Sequence, residues 1–196
     1  YNPWENRLES LSAKETEDGT LFSVTIEPLK PLVVIFDETE ETLSEPLVLS
    51  GEKQPLAANW KRSLCRSIDY PAFQKEKTVT LPDHLAEEEP LFSGFVRYEN
   101  TISCKKGEGL LLEISKAAEG VEVFVNGVSA GIQIAAPYRY DLSSLVKEGE
   151  NELRIEVATT LEREMSQHPD PMMAMMGVKS VPTSESGITG MVCIEK

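Results

Sequence analysis

Metal-ligating residues are scarce in this chain. Its three cysteines, Cys65, Cys104 and Cys193, are widely spaced, and its two histidines, His84 and His168, have no cysteine beside them. There is no CxxC pair and no Cys/His cluster, which excludes the usual zinc spacings. No metal and no cofactor is therefore expected. The cysteine number is odd, and each cysteine lies in or beside apolar sequence. That pattern fits reduced, buried thiols and a reducing compartment, so the expected location is cytoplasmic. The sequence also lacks an N-x-S/T acceptor, a signal-peptide pattern and a lipidation motif. No apolar run approaches the length of a membrane span.

Positive charge is short too. Nineteen Lys and Arg stand against 33 Asp and Glu, for a formal net charge of −14. Nucleic acid requires the opposite sign, because Lys and Arg must neutralise phosphates. An anionic membrane surface would repel the chain for the same reason. The acidity reads as a solubilising surface.

Catalytic patterns are missing as well. Glycoside hydrolysis needs two carboxyls roughly 5–10 Å apart across the scissile bond. The acids here sit mostly in solvated runs such as Glu38–Glu41 and Glu87–Glu89, and none stands out as a couple. Ser184-Glu185-Ser186-Gly187 lacks the leading glycine of a nucleophile elbow. A phosphate-cradling glycine loop is absent. No catalytic residue is expected in this chain.

Short apolar runs with period-two alternation are abundant. Phe22, Val24 and Ile26 alternate with polar residues over Leu21–Glu27, and Leu32–Phe36 is continuously apolar, which predicts a strand buried on both faces. Another run begins at Leu47–Leu49, and acidic Asp37–Glu45 reads as a loop or linker. A boundary is expected near Ser50-Gly51, because residues 1–50 supply too few strands for a stable domain. They read as the terminal strands of a preceding β domain, packed on the domain after them.

Residues 51–196 read as all-β. Strands are expected at Trp60–Cys65, Thr78–Leu81, Phe95–Ser103, Leu110–Ser115, Val121–Val125, Ile132–Ile134, Asn151–Ala158 and Gly190–Ile194. Turn residues punctuate them, which predicts a β-sandwich or jelly roll. Asn126-Gly127 predicts a two-residue type I′ hairpin, whose central positions both need positive φ. Asp141–Val146 is the one plausible helical turn, with Asp141 as its cap. Gln167–Ser186 has no periodicity and carries Met172, Met173, Met175 and Met176, a composition suited either to a self-folded loop or to a repacking contact surface.

Aromatic rings can cover the apolar face of a pyranose while polar neighbours hydrogen-bond its hydroxyls. Trp60 and Tyr138, with Arg139 beside it, are the carbohydrate-binding candidates. For Trp60 and for Tyr98, both on predicted strands, core packing competes with that role.

Several segments resemble one family in order and spacing. Phe92-Ser93-Gly94-Phe95-Val96-Arg97-Tyr98 is similar to an F-S-G-x-x-x-Y segment. Val121-Glu122-Val123-Phe124-Val125-Asn126-Gly127 resembles a V-x-V-N-G hairpin, with Gly131 following. Pro137-Tyr138-Arg139-Tyr140-Asp141-Leu142 resembles P-Y-x-F-D-L, and Gly149-Glu150-Asn151-Glu152-Leu153 resembles G-x-N-x-L. Ser186-Gly187-Ile188-Thr189-Gly190 resembles a closing S-G-L-x-G-P-V strand, with Met191 where proline is usual.

Together they resemble the galactose-binding-like, sugar-binding-type jelly roll of family 2 and α-L-rhamnosidase-like glycoside hydrolases, over about Gln54 to the C-terminus. The resemblance implies a non-catalytic, C-terminal module whose partner is the catalytic domain of the same polypeptide, with carbohydrate as a possible ligand. Some members of the wider fold bind calcium, but no dense Asp/Asn loop is present here. The competing readings are an independent carbohydrate-binding module and a protein-interaction domain using Met172–Met176.

Overall fold

Period-two sequence sets the architecture. The computed structural model describes residues 1–3, 8–26, 29–36, 43, 51–105, 107, 109–168, 171–177 and 181–196. The chain divides into two compact units, Tyr1–Val48 and Leu49–Lys196.

In the first unit, β1 (Ala13–Thr16) and β2 (Gly19–Phe22) form an antiparallel hairpin. The expected second strand at Leu32–Phe36 is not formed; the segment is irregular and its apolar side chains are largely exposed. A strand buried on both faces needs sheet neighbours and covering layers, and the described part of this unit offers only one hairpin. The alternation at Leu21–Glu27 likewise gives strand only as far as Phe22. Asp37–Glu45 apart from Leu43, Leu47–Leu49 and Ser50 of the expected boundary lie outside the described residues.

The second unit contains β3 (Gln54–Pro55), β4 (Trp60–Cys65), β5 (Gln74–Val79), β6 (Phe95–Cys104), β7 (Leu111–Ile114), β8 (Ala117–Ala118), β9 (Gly120–Val125), β10 (Val128–Gln133), β11 (Tyr138–Asp141), β12 (Gly149–Ala158), β13 (Gly187–Ile188) and β14 (Val192–Glu195). Short helices α1 (Leu85–Glu88), α2 (Glu162–Met165) and α3 (Pro171–Met175) lie in the connections. Among the described residues none is long and apolar enough to cross a membrane.

One six-stranded sheet runs β10-β9-β12-β6-β4-β5, and one four-stranded sheet runs β11-β7-β14-β3. A small ribbon pairs β8 with β13. All of these pairings are antiparallel. The inner faces share a single apolar core. Val96, Tyr98, Val121, Val123, Leu153, Ile155 and Val157 come from the larger sheet, and Leu112, Ile114, Tyr140, Val192 and Ile194 from the smaller. Full burial stabilises each such aliphatic side chain by about 1.5–3 kcal/mol. The molecule is thus an all-β sandwich, as the alternation predicts.

Local chemistry explains the turns. Asn126 and Gly127 have φ of 51° and 84°, the conformation a type I′ hairpin requires, and join β9 to β10. The Asp141 carboxylate accepts the Ser143 N–H at 3.0 Å and starts the turn through Val146. Several boundaries differ from expectation, most of them by one or two residues. The strand expected at Thr78–Leu81 lies earlier, at β5, because Leu81 leaves the sheet to enter the core. Ile132–Ile134 marks only the end of β10, which begins at Val128 and has irregular register between Ser129 and Ile132. Tyr138–Asp141 is itself a strand paired with β7.

Candidate functional site

The structure sets two of the three carbohydrate candidates in the core and one at the surface. Trp60 and Tyr138 lie on strands of different sheets, at 0% and 2% exposure. The Trp60 indole N–H donates to the Leu56 carbonyl at 2.7 Å, satisfying its only donor. The Tyr138 hydroxyl donates to the Glu119 and Ala117 carbonyls, at 2.6 and 3.2 Å. Neither ring offers a face to a pyranose, so both expectations give way to core roles. The sequence could not separate them, because aromatic rings serve both uses and only burial decides.

Arg139 does reach solvent. Its guanidinium pairs with Glu113 at 2.7 Å on the outer face of the smaller sheet, and Lys53 meets the same carboxylate at 2.8 Å. Burial would raise the Glu113 pKa, but these two cations outweigh it and hold the carboxyl below its ordinary value. Trp60→Ala should cost about 3–5 kcal/mol in urea unfolding, as deletion of a large core aromatic does. Arg139→Ala should cost about 0–1 kcal/mol, since the pair is part exposed.

A charged cluster lies inside the sandwich, and sequence reasoning missed it. Arg62 is in phase with Trp60 and Leu64 on β4, so its side chain points inward. It donates to both Asp83 carboxylate oxygens, at 2.8 and 3.0 Å, and to Glu88 at 2.6 Å. Asp83 also accepts the Tyr98 hydroxyl at 2.7 Å and the His84 N–H at 2.8 Å. The Tyr98 oxygen in turn accepts the Ile188 N–H at 3.2 Å. Burial and then the neighbouring Asp83 charge push the Tyr98 phenol well above its usual range. The cluster cross-links β4, β6, the segment before α1 and β13.

Glu88 sits at the open edge of this cluster. Hydrogen bonds from Lys77 and then Arg62 lower its pKa to about 2. A depressed folded-state pKa contributes stability above the unfolded value, near 4.5, and loses it as pH falls through about 2. Stability should therefore decline on acidification across that window. Glu88→Gln should flatten this part of the profile, measured as denaturation midpoint against pH.

The outer face of the larger sheet carries a second polar cluster. Glu156 on β12 lies opposite Arg97 on β6 and Glu122 on β9. Arg97 donates from Nε at 3.0 Å and lies 2.9 Å away through Nη2. Arg154 approaches at 3.4 Å, and the Tyr70 hydroxyl donates to the other carboxylate oxygen at 3.1 Å. Burial and then Glu156 raise the Tyr70 phenol. Phe73 lies under the Arg97 guanidinium, 3.7 Å from it, and Phe95 packs against Tyr70. Glu122 and Glu156 are neighbouring carboxyls, but Glu156 is buried with both oxygens engaged. Two arginines and a tyrosine thus fix the Glu156 carboxylate in place. Among the described residues no group of three His, Cys, Asp or Glu converges as a metal site.

The Asn-Gly hairpin is fastened by amides. The Asn126 amide donates to Asn151 Oδ1 at 2.8 Å, and buried Asn151 spans the Lys147–Gly149 backbone with three bonds of 2.8 to 3.0 Å. Motif residues Asn126 and Asn151 thus close a loop rather than face a ligand.

No protein-family model matches the chain. No curated protein matches it either. Solved structures do. A rhamnosidase from Novosphingobium sp. PP1Y aligns with a TM-score of 0.58 and 22% identity, over 82% of this chain and 16% of that one. A β-glucuronidase from Bifidobacterium dentium aligns with a TM-score of 0.53 and 16% identity, over 76% of this chain and 30% of that one. At these identities the likeness is one of fold. The chain spans less than a third of the length of these structures. The class defined is a β-sandwich of the kind found as one part of larger glycoside hydrolases.

Proposed function

We propose that this chain is a non-catalytic, galactose-binding-like module from the C-terminal part of a larger glycoside hydrolase, packed against its catalytic domain. In this reading residues 51–196 are the module, and residues 1–50 are terminal strands of the β domain before it.

The fate of the motif residues carries the proposal. Gly94 lies against the Cys65 carbonyl, Tyr98 holds Asp83, Asn126 and Asn151 tie a loop, and Gly187 lies over the Tyr98 hydroxyl. Each of these family-like residues closes an internal joint. The resemblance is therefore one of fold construction, and the buried Glu156 carboxylate is held in ion pairs. The partial coverage of much longer glycoside hydrolases supports the same reading.

Assayed on a panel of aryl glycosides, the purified chain should give no turnover above buffer. Turnover abolished by Glu156→Gln or Glu122→Gln would overturn the non-catalytic reading.

A further inference from the structure

Asn126-Gly127 is the one Asn-Gly pair in the sequence. That pair carries a reactivity of its own. The backbone nitrogen after an asparagine can attack the side-chain amide carbon, and glycine, with no Cβ, obstructs the approach least. Here the Gly127 nitrogen gives up its proton and bonds to Asn126 Cγ, the Cγ–Nδ2 bond breaks, and ammonia leaves. A cyclic succinimide remains. Water adds to either of its carbonyls and opens the ring, leaving aspartate or isoaspartate. Water is consumed and ammonia released, with no oxidant or reductant. Gly127 is exposed, and a Cβ there would meet no heavy atom within 4 Å among the described residues. Water therefore reaches the turn, and crowding does not guard it.

Two other features of the hairpin oppose the reaction. The first is the backbone. Asn126 has φ of 51°, in the left-handed region. In that region ψ is positive too, which turns the next nitrogen away from Cβ across the Cα–C bond. Ring closure needs that nitrogen on the same side as Cβ, so the turn has to open first. The Asn126 N–H also donates to the Glu152 carbonyl at 2.9 Å, tethering the turn to β12.

The second feature is the side chain. Asn126 Oδ1 accepts the Glu152 N–H at 3.2 Å. Its Nδ2 donates to Asn151 Oδ1 at 2.8 Å and to the Leu145 carbonyl at 3.4 Å. Both ends of the amide are engaged, and Cγ cannot swing toward Gly127 without giving up these bonds.

Conversion would undo the joint. A carboxylate has no N–H to donate. Asn151 Oδ1 and the Leu145 carbonyl would then face a negative charge in place of a donor. Isoaspartate would in addition lengthen the main chain within a two-residue turn, which sets the register of β9 against β10.

We propose that Asn126 is a deamidation site, held intact by the left-handed turn and by residues 145–152, and that its conversion unfastens that segment. The inference stands apart from the module reading above.

The chain is incubated in mildly alkaline buffer, folded and in concentrated urea, and each asparagine is followed by peptide mass spectrometry. In urea Asn126 should convert before the other asparagines. In the folded chain it should convert roughly a hundredfold more slowly or less, as expected of backbone that has to open locally. Asn151→Ala removes an acceptor of the amide and should raise the folded-state rate about tenfold. In Asn126→Asp, hydrogen exchange should quicken over residues 145–151 and stay unchanged in β6. Equal rates for the folded and unfolded chain overturn the guard, whether or not Asn151→Ala folds. Earlier conversion of another asparagine in urea overturns the site. Unchanged exchange in Asn126→Asp overturns the unfastening.

Discussion

Replacing Asp83 by alanine should lower the unfolding free energy by about 3–5 kcal/mol, the range for breaking a buried ion pair from one side. Asp83 is the hub of the interior cluster, accepting from Arg62, Tyr98 and the His84 N–H. Its loss leaves the Arg62 guanidinium, with a side chain only 4% exposed, facing the core with Glu88 as its remaining ionic partner. The Tyr98 hydroxyl loses its acceptor in the same step. A buried cation stripped of a partner costs far more than the pair contributed, because desolvation remains after the attraction is gone. Asp83→Asn keeps the shape and one acceptor, so it should cost less. Arg62→Met combined with Asp83→Leu removes both charges and should be milder than the sum of the single changes. Urea unfolding with an unchanged m-value gives each number. A cost below about 1 kcal/mol for Asp83→Ala would mean that water already satisfies the cluster.

Much of the sandwich is legible from the chain. Val121, Val123 and Val125 alternate with Glu122 and Phe124, and the structure buries the valines and turns at Asn126-Gly127. Such strands declare themselves because period two is a local property. The interior charges do not declare themselves in the same way. Arg62 alternates in phase with Trp60, which signals an inward guanidinium in need of a partner. Its partners, however, lie 21 and 26 residues away, and no local spacing points to them. Glu156 follows the same logic on the outer face, where Arg97 and Tyr70 come from 59 and 86 residues away. Trp60 and Tyr138 illustrate the opposite failure: residue type suits two roles, and only their place between the sheets decides. Leu32–Phe36 reads as a buried strand because apolar runs usually are, yet burial needs neighbours that the described part of its unit does not provide.

Gly187→Ala should be strongly damaging for a change of one methyl, costing about 2–5 kcal/mol. Two separate causes add. Gly187 has φ of 77°, where an L side chain costs about 1–2 kcal/mol. A Cβ there would also overlap the Tyr98 hydroxyl, and forcing atoms into a filled core costs about 1–3 kcal/mol. The hydroxyl cannot simply swing aside, because it donates to Asp83 and accepts from Ile188. Tyr98→Phe removes the overlapping oxygen but strips Asp83 and the Ile188 N–H of a partner, about 1–3 kcal/mol by itself. In the double variant the overlap vanishes while the left-handed cost stays. The two changes should therefore combine to less than their sum, with a coupling of about 1–3 kcal/mol. Gly190→Ala isolates the contact contribution, since its Cβ would meet Ser115 and Lys116 without a positive φ. Additive costs for Gly187→Ala and Tyr98→Phe would show that glycine is required there for backbone conformation alone. Coupled costs would tie the closing Ser-Gly-Ile-Thr-Gly segment to the tyrosine of the Phe-Ser-Gly segment, 89 positions earlier in the chain (187 − 98). The two family-like segments would then be two halves of one interior joint.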